Sequence, residues 1–387
     1  LISGLTAVML AAGVAGCTQL PKLKHPAKKA PKATKVRYNM SDYARDVVRH
    51  YCRTVGPGVK IKHASTPFLD ESCFPDELEA ERGQLATGAS SVLMKALWLC
   101  RLARPDTQKA IQMLSTKVTR WSVNDDKRVY RIMCYLWTTR DYILCGLVLD
   151  YAEDLFIQMF VDADLAGERD CTKSTTGMYL VLAGPRGTFV PLAWLAKKQA
   201  ATSRSTTEAE MIALASSLFG EALPTLGMWE KMLQRKVQLV IMEDNAATIQ
   251  ILKIGYSAKL RHLDKHHRIN LASVCEVIER EGILVPHCPT DEQVADIFTK
   301  ALAPAKWPGA LKLLRMEENV PADAKESPYD DVVPPSSSVH GCPTLVTIEE
   351  NQPVGKIFRG LVGTAQAEWS LEHNHQVLAK QLAKLYR

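Results

Sequence analysis

The sequence predicts an α/β protein, with a mixed β-sheet flanked by helices over residues 151–303 and a mostly helical segment over 38–150 before it. Three observations carry this. The run LFIQMFV (155–161) is apolar almost throughout, as a central strand covered on both faces must be. Two further apolar runs, MYLVLA (178–183) and FVPLAWL (189–195), flank Gly184-Pro185-Arg186-Gly187, a turn signal that makes them an antiparallel pair. Upstream, apolar residues recur at helical spacing and do not alternate.

In chain order, GASSVLMKALWLCR (88–101) is rich in helix formers and gives a first helix. Arg104-Pro105-Asp106 opens the next, with proline in the first turn, an acid near the positive helix end, and Ile111, Leu114 and Val118 as its stripe. A third begins near Asn124 and sets Val129, Ile132, Met133 and Leu136 on one face. None of the three has catalytic spacing, so the segment reads as a packing or connecting module. After the strand pair, a helix starts at Ser205 and runs to about Gly220, and VQLVIM (237–242) is another strand. A long helix with Leu271, Val274, Cys275 and Ile278 on one face stops at Gly282; ILV (283–285) is a short strand. The last helix carries Val294, Ile297, Phe298 and Ala301. The order is β-β-β-α-(α)-β-α-α-β-α. Residues 304–387 form a tail, with an acidic Pro/Ser-rich stretch (317–338) typical of disorder and an expected final helix over 366–386.

The 387 residues suffice for two or three domains, and the net charge of +6 is only a weak lean toward polyanions. The basic residues concentrate in PKLKHPAKKAPKATKVR (21–37), which has too little apolar surface for a core and is expected to be a flexible cationic linker closing segment 1–37. Ten cysteines occur without a C-x-x-C pair, so no zinc module is readable and a reducing, intracellular setting in cytoplasm or nucleus is expected. The chain begins at Leu1 and reads as a piece of a longer product. Its first apolar run is too short to span a bilayer comfortably, and no stable membrane partner is expected. Val14-Ala15-Gly16-Cys17 resembles the lipobox of an exported lipoprotein, but the run lacks the positive n-region of a signal peptide.

The chemistry begins with acids at strand ends. Asp162 directly follows LFIQMFV, and Asp244 follows VQLVIM by one residue. A carboxylate at the end of a buried strand is costly unless it is paired, hydrogen-bonded or bound to a cation. Two on separate strands are compatible with a hard-metal site, because magnesium prefers oxygen ligands; solvated strand ends are the plainer alternative.

Five motifs in order turn this into a resemblance. VDADLAGERDCTKSTTG (161–177), LAWLAKKQAATSRSTTEAEMIAL (192–214), MEDNAATIQI (242–251), KLRHLDKHHRI (259–269) and CPTDEQVADIFTKAL (288–302) resemble the S-D-A-D-W-A-G…K-S-T-S-G, W-x-S-K-K-Q…S-S-T-E-A-E-Y-x-A-L, C-D-N-x-x-A-I, R-T-K-H-I-D-I-R-Y-H-x-I and V-P-T-x-x-Q-x-A-D-x-L-T-K-A-L patterns of copia-type retrotransposon Pol polyproteins. These patterns belong to the ribonuclease H domain. Residues 43–71 and 90–106 more faintly resemble the end of the family's reverse transcriptase and its R-P-D connection.

The resemblance implies a ribonuclease H-like fold with a mixed five-stranded sheet, and a metal-dependent endonuclease acting on the RNA strand of RNA/DNA hybrids. Its four carboxylates fall on Asp162, Asp244, Asp296 and one of Glu208 and Glu210. Residues two apart on a helix point about 200° apart, so both glutamates cannot serve one site. Ser205-Thr206-Thr207-Glu208 has the form of a capping box, which gives Glu208 a structural task. Glu210 sits where the resembling ribonucleases H place their acid, before an apolar residue and then x-A, so Glu210 is assigned as the ligand. The set would hold two Mg²⁺ ions, or Mn²⁺ in their place, about 4 Å apart for in-line phosphodiester hydrolysis. Lys197, Lys198, Arg204 and His262 are expected at the nucleic acid, and His287 in proton transfer. Asp164 is expected as a turn or substrate-side residue, and Asp264 as either a substrate contact or a helix-start cap. Other parts of the polyprotein, within a virus-like particle, are the implied partners.

Two departures narrow the reading. The aromatic-x-Asp-Asp hairpin of a polymerase is not found, since Tyr329-Asp330-Asp331 lies in the tail, so no polymerase activity is expected. The family's R-Y-H appears here as His266-His267-Arg268. A nucleic-acid-binding remnant without catalysis is the alternative to an active enzyme, and metal-dependent thermal stabilisation discriminates between them.

Overall fold

In the computed structural model of the chain, residues 20–24, 31–168, 171–319 and 346–349 are described. The first strand, β1 (Thr34–Tyr38), lies inside the tract expected to be a flexible linker. Thr34 and Val36 are buried while Lys35 and Arg37 are half-buried, a period of two that the lysine-rich composition masks. Lys35 Nζ also reaches Glu317 at 2.6 Å. The linker reading therefore fails for Thr34–Arg37; Lys28, Lys29 and the apolar run ending at Cys17 lie outside the described residues.

Helices α1 (Ser41–Val55), α2 (Ala89–Leu102), α3 (Gln108–Ser115) and α4 (Val123–Thr138) follow. Their apolar stripes enclose a core of Val47, Val92, Leu93, Leu99, Ile111, Leu114, Val129, Ile132 and Met133. A full capping box starts α4: the Ser122 hydroxyl accepts from the Asp125 N–H, and the Asp125 carboxylate from the Ser122 N–H. The second expected helix is shorter than its stripe suggests, since Val118 falls in a separate 3₁₀ turn. Asp106, expected as a helix-end acid, is fully buried and takes two bonds from Arg104, at 2.9 and 2.7 Å. Arg104 also donates to the Thr139 carbonyl at 3.0 Å, and the Tyr135 hydroxyl donates to Asp106 at 2.7 Å. A buried ion pair needs such a set of partners to repay its desolvation.

The chain then enters β2 (Tyr142–Val148), antiparallel to β1. β3 (Phe156–Asp164), β4 (Thr175–Ala183) and β5 (Phe189–Lys198) form an antiparallel meander, with the expected turn at Gly184–Gly187. Helix α5 (Thr206–Ser217) continues through a π-turn (Leu218–Ala222) into α6 (Leu223–Leu233). These 28 residues are long and apolar enough to cross a membrane, but α5 instead buries Ala209, Met211, Ala213 and Leu214 in the core of the sheet. β6 (Leu239–Met242) returns parallel to β3. After α7 (Ala246–Ile254) and α8 (Leu271–Arg280), the expected strand 283–285 is reduced to single parallel bridges, Val240 to Leu284 and Glu243 to His287. The last expected helix is one turn, α9 (Asp296–Thr299). It is followed by α10 (Trp307–Leu313), β7 (Met316–Glu318) and β8 (Val346–Glu349).

The five-stranded mixed sheet of the ribonuclease H-like fold is therefore present: β5-β4-β3-β6 and the bridged segment beside β6. It is larger than expected, because β2, β1 and β8 extend it past β5, with β7 on β2. Alternation along β3 divides the core. Ile157, Met159 and Val161 face α5, while Phe156 and Phe160 join Tyr135, Tyr179, Trp194, Phe298 and Trp307 on the opposite face. The sheet is thus continuous across residue 150, and Trp307, from the expected tail, is part of the core. The proposed C-terminal helix (366–386), the acidic stretch from 320 on and Tyr329-Asp330-Asp331 lie outside the described residues.

Candidate active site

Asp162 is the seventh residue of β3 and is 1% exposed. Glu210 comes from α5, which Ser205 caps by accepting the Glu208 N–H at 3.2 Å. Gln199, the Gln of the K-K-Q motif, ties that helix to the sheet. Its amide donates to the Ala209 carbonyl at 2.9 Å and to the Thr176 hydroxyl at 3.2 Å, while accepting from Ser203 at 2.8 Å. Asp244 sits just beyond β6, where Asn245 caps α7 by accepting the Ala247 and Thr248 N–H groups. The amide of Gln293 donates to the Val161 carbonyl at 3.0 Å and points to that of Met242 at 3.5 Å, so it joins the ends of β3 and β6 beside both acids. Two strand ends and a helix thereby converge: one carboxylate oxygen each from Asp162, Glu210 and Asp244 lie within 4.8 Å of one another.

These acids are held out of water. Glu210 is pushed up to about 10 by burial and then by the charges of Asp162, Glu243 and Asp244. Asp244 is raised by burial and by Asp162. Glu210 Oε2 is buried and accepts no hydrogen bond. An acid cluster in this condition suits a divalent cation, which satisfies the spare oxygens and removes the mutual repulsion.

Asp296 stands at the edge of the cluster and reaches it through its neighbours. Burial and Asp162 raise it to about 6, against the pull of Lys300. Lys300 Nζ lies 2.7 Å from Asp296 Oδ1 and 3.2 Å from Asp162 Oδ1, and the Thr299 hydroxyl donates to Asp162 Oδ2. Gly177 permits this approach. It faces Asp162 across the β3–β4 ladder, and a Cβ there would lie 2.6 Å from Thr299 Cγ2 and 2.9 Å from the Ala295 carbonyl.

Helix geometry separates the two glutamates as expected, but Glu208 does more than cap. Its Oε2 accepts the N–H of Arg204, not of Ser205, so the expected capping box is only half formed. Its Oε1 lies 3.0 Å from His262 Nε2 and 3.1 Å from His267 Nε2. Burial would raise this carboxyl, yet the close approach of His262 and the N–H of Arg204 outweigh it and hold it below the usual range. His262, expected at the nucleic acid, is thus turned onto Glu208. Lys198 pairs with Glu168 at 2.9 Å, whereas Lys197, Arg204 and His287 are exposed. Asp164 lies against Gly167 beyond a bend at Leu165–Ala166. Asp264 is exposed in the first turn of a short helix, Leu263–His267, whose N-cap is His262.

Sequence reasoning missed Glu243, Thr299, Lys300 and Gln293. Glu243 is fully buried, with Oε1 accepting the Asn245 N–H at 3.1 Å and Oε2 unpartnered, and burial pushes it up to about 8. It stands where the C-D-N pattern has cysteine, a departure visible in the sequence. The other three sit inside the last motif, but nothing local marks which of its residues reach back to β3.

No protein-family model matches the chain. Among curated proteins it is 27% identical over 271 residues to the retrovirus-related Pol polyprotein from transposon TNT 1-94 of Nicotiana tabacum. It is 28% identical over 214 residues to that from transposon RE2 of Arabidopsis thaliana. These matches take in 67% and 54% of the chain but only 19% and 14% of the relatives, so the chain spans less than a fifth of their length. An uncharacterized mitochondrial protein of Arabidopsis thaliana is 32% identical over 182 residues, 41% of this chain and 72% of that one. Among solved structures, LC11-RNase H1, isolated from compost by a metagenomic approach, is 18% identical and covers 37% of this chain and 92% of its own, with a TM-score of 0.28. Prototype foamy virus protease-reverse transcriptase is 12% identical over 42% of this chain and 20% of its own, with a TM-score of 0.22.

Proposed function

The chain belongs to the retrovirus-related Pol polyproteins of copia-type transposons, and from that premise we propose that its ribonuclease H-like part is a divalent-metal-dependent endonuclease that hydrolyses the RNA strand of an RNA/DNA hybrid. The observation that carries the reading is the three-carboxylate cluster of Asp162, Glu210 and Asp244, drawn from three separate elements, with the spare oxygen of Glu210 buried inside it. Nothing in packing requires such a cluster, and without a cation it opposes folding.

In this reading Asp162, Glu210 and Asp244 hold Mg²⁺, with Mn²⁺ able to substitute, and Asp296 completes the acid set. A bound divalent ion supplies a Lewis acid for water and for phosphate oxygens. The chain's own residues do the rest. Gln293 and Gln199 hold the ligand-bearing elements in register. Lys197 and Arg204 present exposed charge to the phosphate backbone, and Lys198 joins them when Glu168 releases it. His287, exposed and bridged to Glu243 next to Asp244, takes up or returns a proton at the rim. Preference for RNA follows from 2′-OH and minor-groove contacts, not base edges.

The test is cleavage of a labelled RNA/DNA hybrid in Mg²⁺ beside Asp162→Asn, with melting of both proteins in Mn²⁺. The reading expects RNA-strand cleavage by the parent chain only, and metal-dependent stabilisation that the variant loses. Equal cleavage by Asp162→Asn, or hydrolysis insensitive to chelator, refutes it.

A further inference from the structure

The four-acid scheme has no task for Lys300, yet its ammonium lies between two of the four acids. It follows α9 directly, and its N–H donates to the Asp296 carbonyl at 2.9 Å as that turn ends. An i,i+4 contact between Asp296 and Lys300 would by itself be an ordinary helix-surface pair worth a few tenths of a kcal/mol. The second contact is not ordinary. The same ammonium crosses to Asp162 of β3, whose side chain is 2% exposed while that of Lys300 is 40% exposed. Thr299 takes the other oxygen of Asp162, so two consecutive residues hold both oxygens of one strand acid.

The rest of the cluster is arranged around this. The oxygens that approach within 4.8 Å come from Asp162, Glu210 and Asp244, and Asp296 is outside that group. A second divalent ion would draw on Asp162 and Asp296 together, and those are the two carboxylates that Lys300 bridges. The unpartnered buried oxygens, Glu210 Oε2 and Glu243 Oε2, belong to the other acids, those Lys300 does not bridge. A partly exposed side chain on a flexible stem also leaves without unpacking the core.

We propose that Lys300 is a tethered cation occupying the second metal position, so that the resting site takes one divalent ion among Asp162, Glu210 and Asp244, and a second enters only when the Lys300 side chain swings out. The inference rests on the reading that the acids hold a metal. It makes Lys300 a positioning residue that sets metal stoichiometry.

The experiment is Mn²⁺ titration of the full chain, followed by calorimetry and by electron paramagnetic resonance, with Lys300→Gln, Lys300→Met and Lys300→Arg alongside. The parent chain and Lys300→Arg are expected to bind one Mn²⁺ with the spectrum of an isolated ion. Lys300→Gln and Lys300→Met are expected to bind two, with exchange coupling between them and the second at least about tenfold tighter than in the parent. A coupled pair in the parent chain at the first saturation overturns the inference. So does a single site in both neutral variants that melt like the parent. Absence of any Mn²⁺ binding in all four proteins overturns the metal reading itself, a result separable from either of these.

Discussion

Gly177→Ala tests whether the last motif is held against β4 as closely as the site requires. A Cβ at 177 would sit 2.6 Å from Thr299 Cγ2, 2.9 Å from the Ala295 carbonyl oxygen and 3.0 Å from Phe298 Cβ. Carbon–carbon contacts are comfortable from about 3.5 Å, so α9 must retreat by roughly 0.5–1 Å. Overpacking of this kind costs about 1–3 kcal/mol, and the stiffer unfolded chain returns about 0.4–1, so the net loss of stability is modest at about 0–2.5 kcal/mol. The functional cost is larger. The retreating turn carries Asp296 and Thr299 and leads into Lys300; Thr299 and Lys300 bond to Asp162 and Lys300 holds Asp296, and displacement of about 1 Å in a catalytic arrangement costs on the order of 10²-fold in rate. Urea denaturation and single-turnover cleavage of a hybrid, measured on the same preparations, separate the two effects. Thr299→Ser, made on the Gly177→Ala background, removes the atom of closest contact while keeping the hydroxyl on Asp162, and is expected to recover part of the rate. A folded Gly177→Ala protein cleaving within about threefold of the parent would refute the argument that this close approach sets the site.

Two further outcomes follow from the helical part. Arg104→Met leaves Asp106 buried beside Tyr135 without its cation and should cost about 3–5 kcal/mol in denaturant unfolding; Asp106→Leu made with it should recover most of that, and no recovery would contradict the ion-pair account. Burial alone would raise Glu79, but hydrogen bonds from Lys117 at 2.9 Å and Asn124 at 3.0 Å, with the charge of Arg128, hold it down at about 2. A folded value below the unfolded one contributes stability that is complete above the ordinary carboxyl range and lost as pH falls from there toward about 2. Glu79→Gln should therefore flatten the acid limb of a stability–pH profile below pH ~4.5, and an unchanged limb would count against the pairing.

The sequence by itself determined the strands of the meander, the strand that becomes β6 and the two acids that follow strands, because each is written locally, whereas Glu210 and Asp296 came from the family resemblance. Continuous apolar runs mark buried strands, Gly184-Pro185-Arg186-Gly187 marks their turn, and Asp162 and Asp244 follow strands directly. Helix geometry showed only that Glu208 and Glu210 face different ways; the choice of Glu210 rested on the capping-box form at Ser205 and on where the family places its acid. Only the tertiary structure decided what lies across those elements. Thr34–Tyr38 is a strand because β2 and Glu317 are there to pair it, against the pull of its lysine-rich surroundings. His262 is engaged by Glu208 through contacts more than fifty residues apart, and the buried Arg104–Asp106 pair depends on Tyr135 and Thr139. Lys300 could not have been singled out from its motif. Its place between Asp162 and Asp296 exists only because Gly177 lets α9 settle against the strand, and side-chain reach across a sheet leaves no period in the sequence.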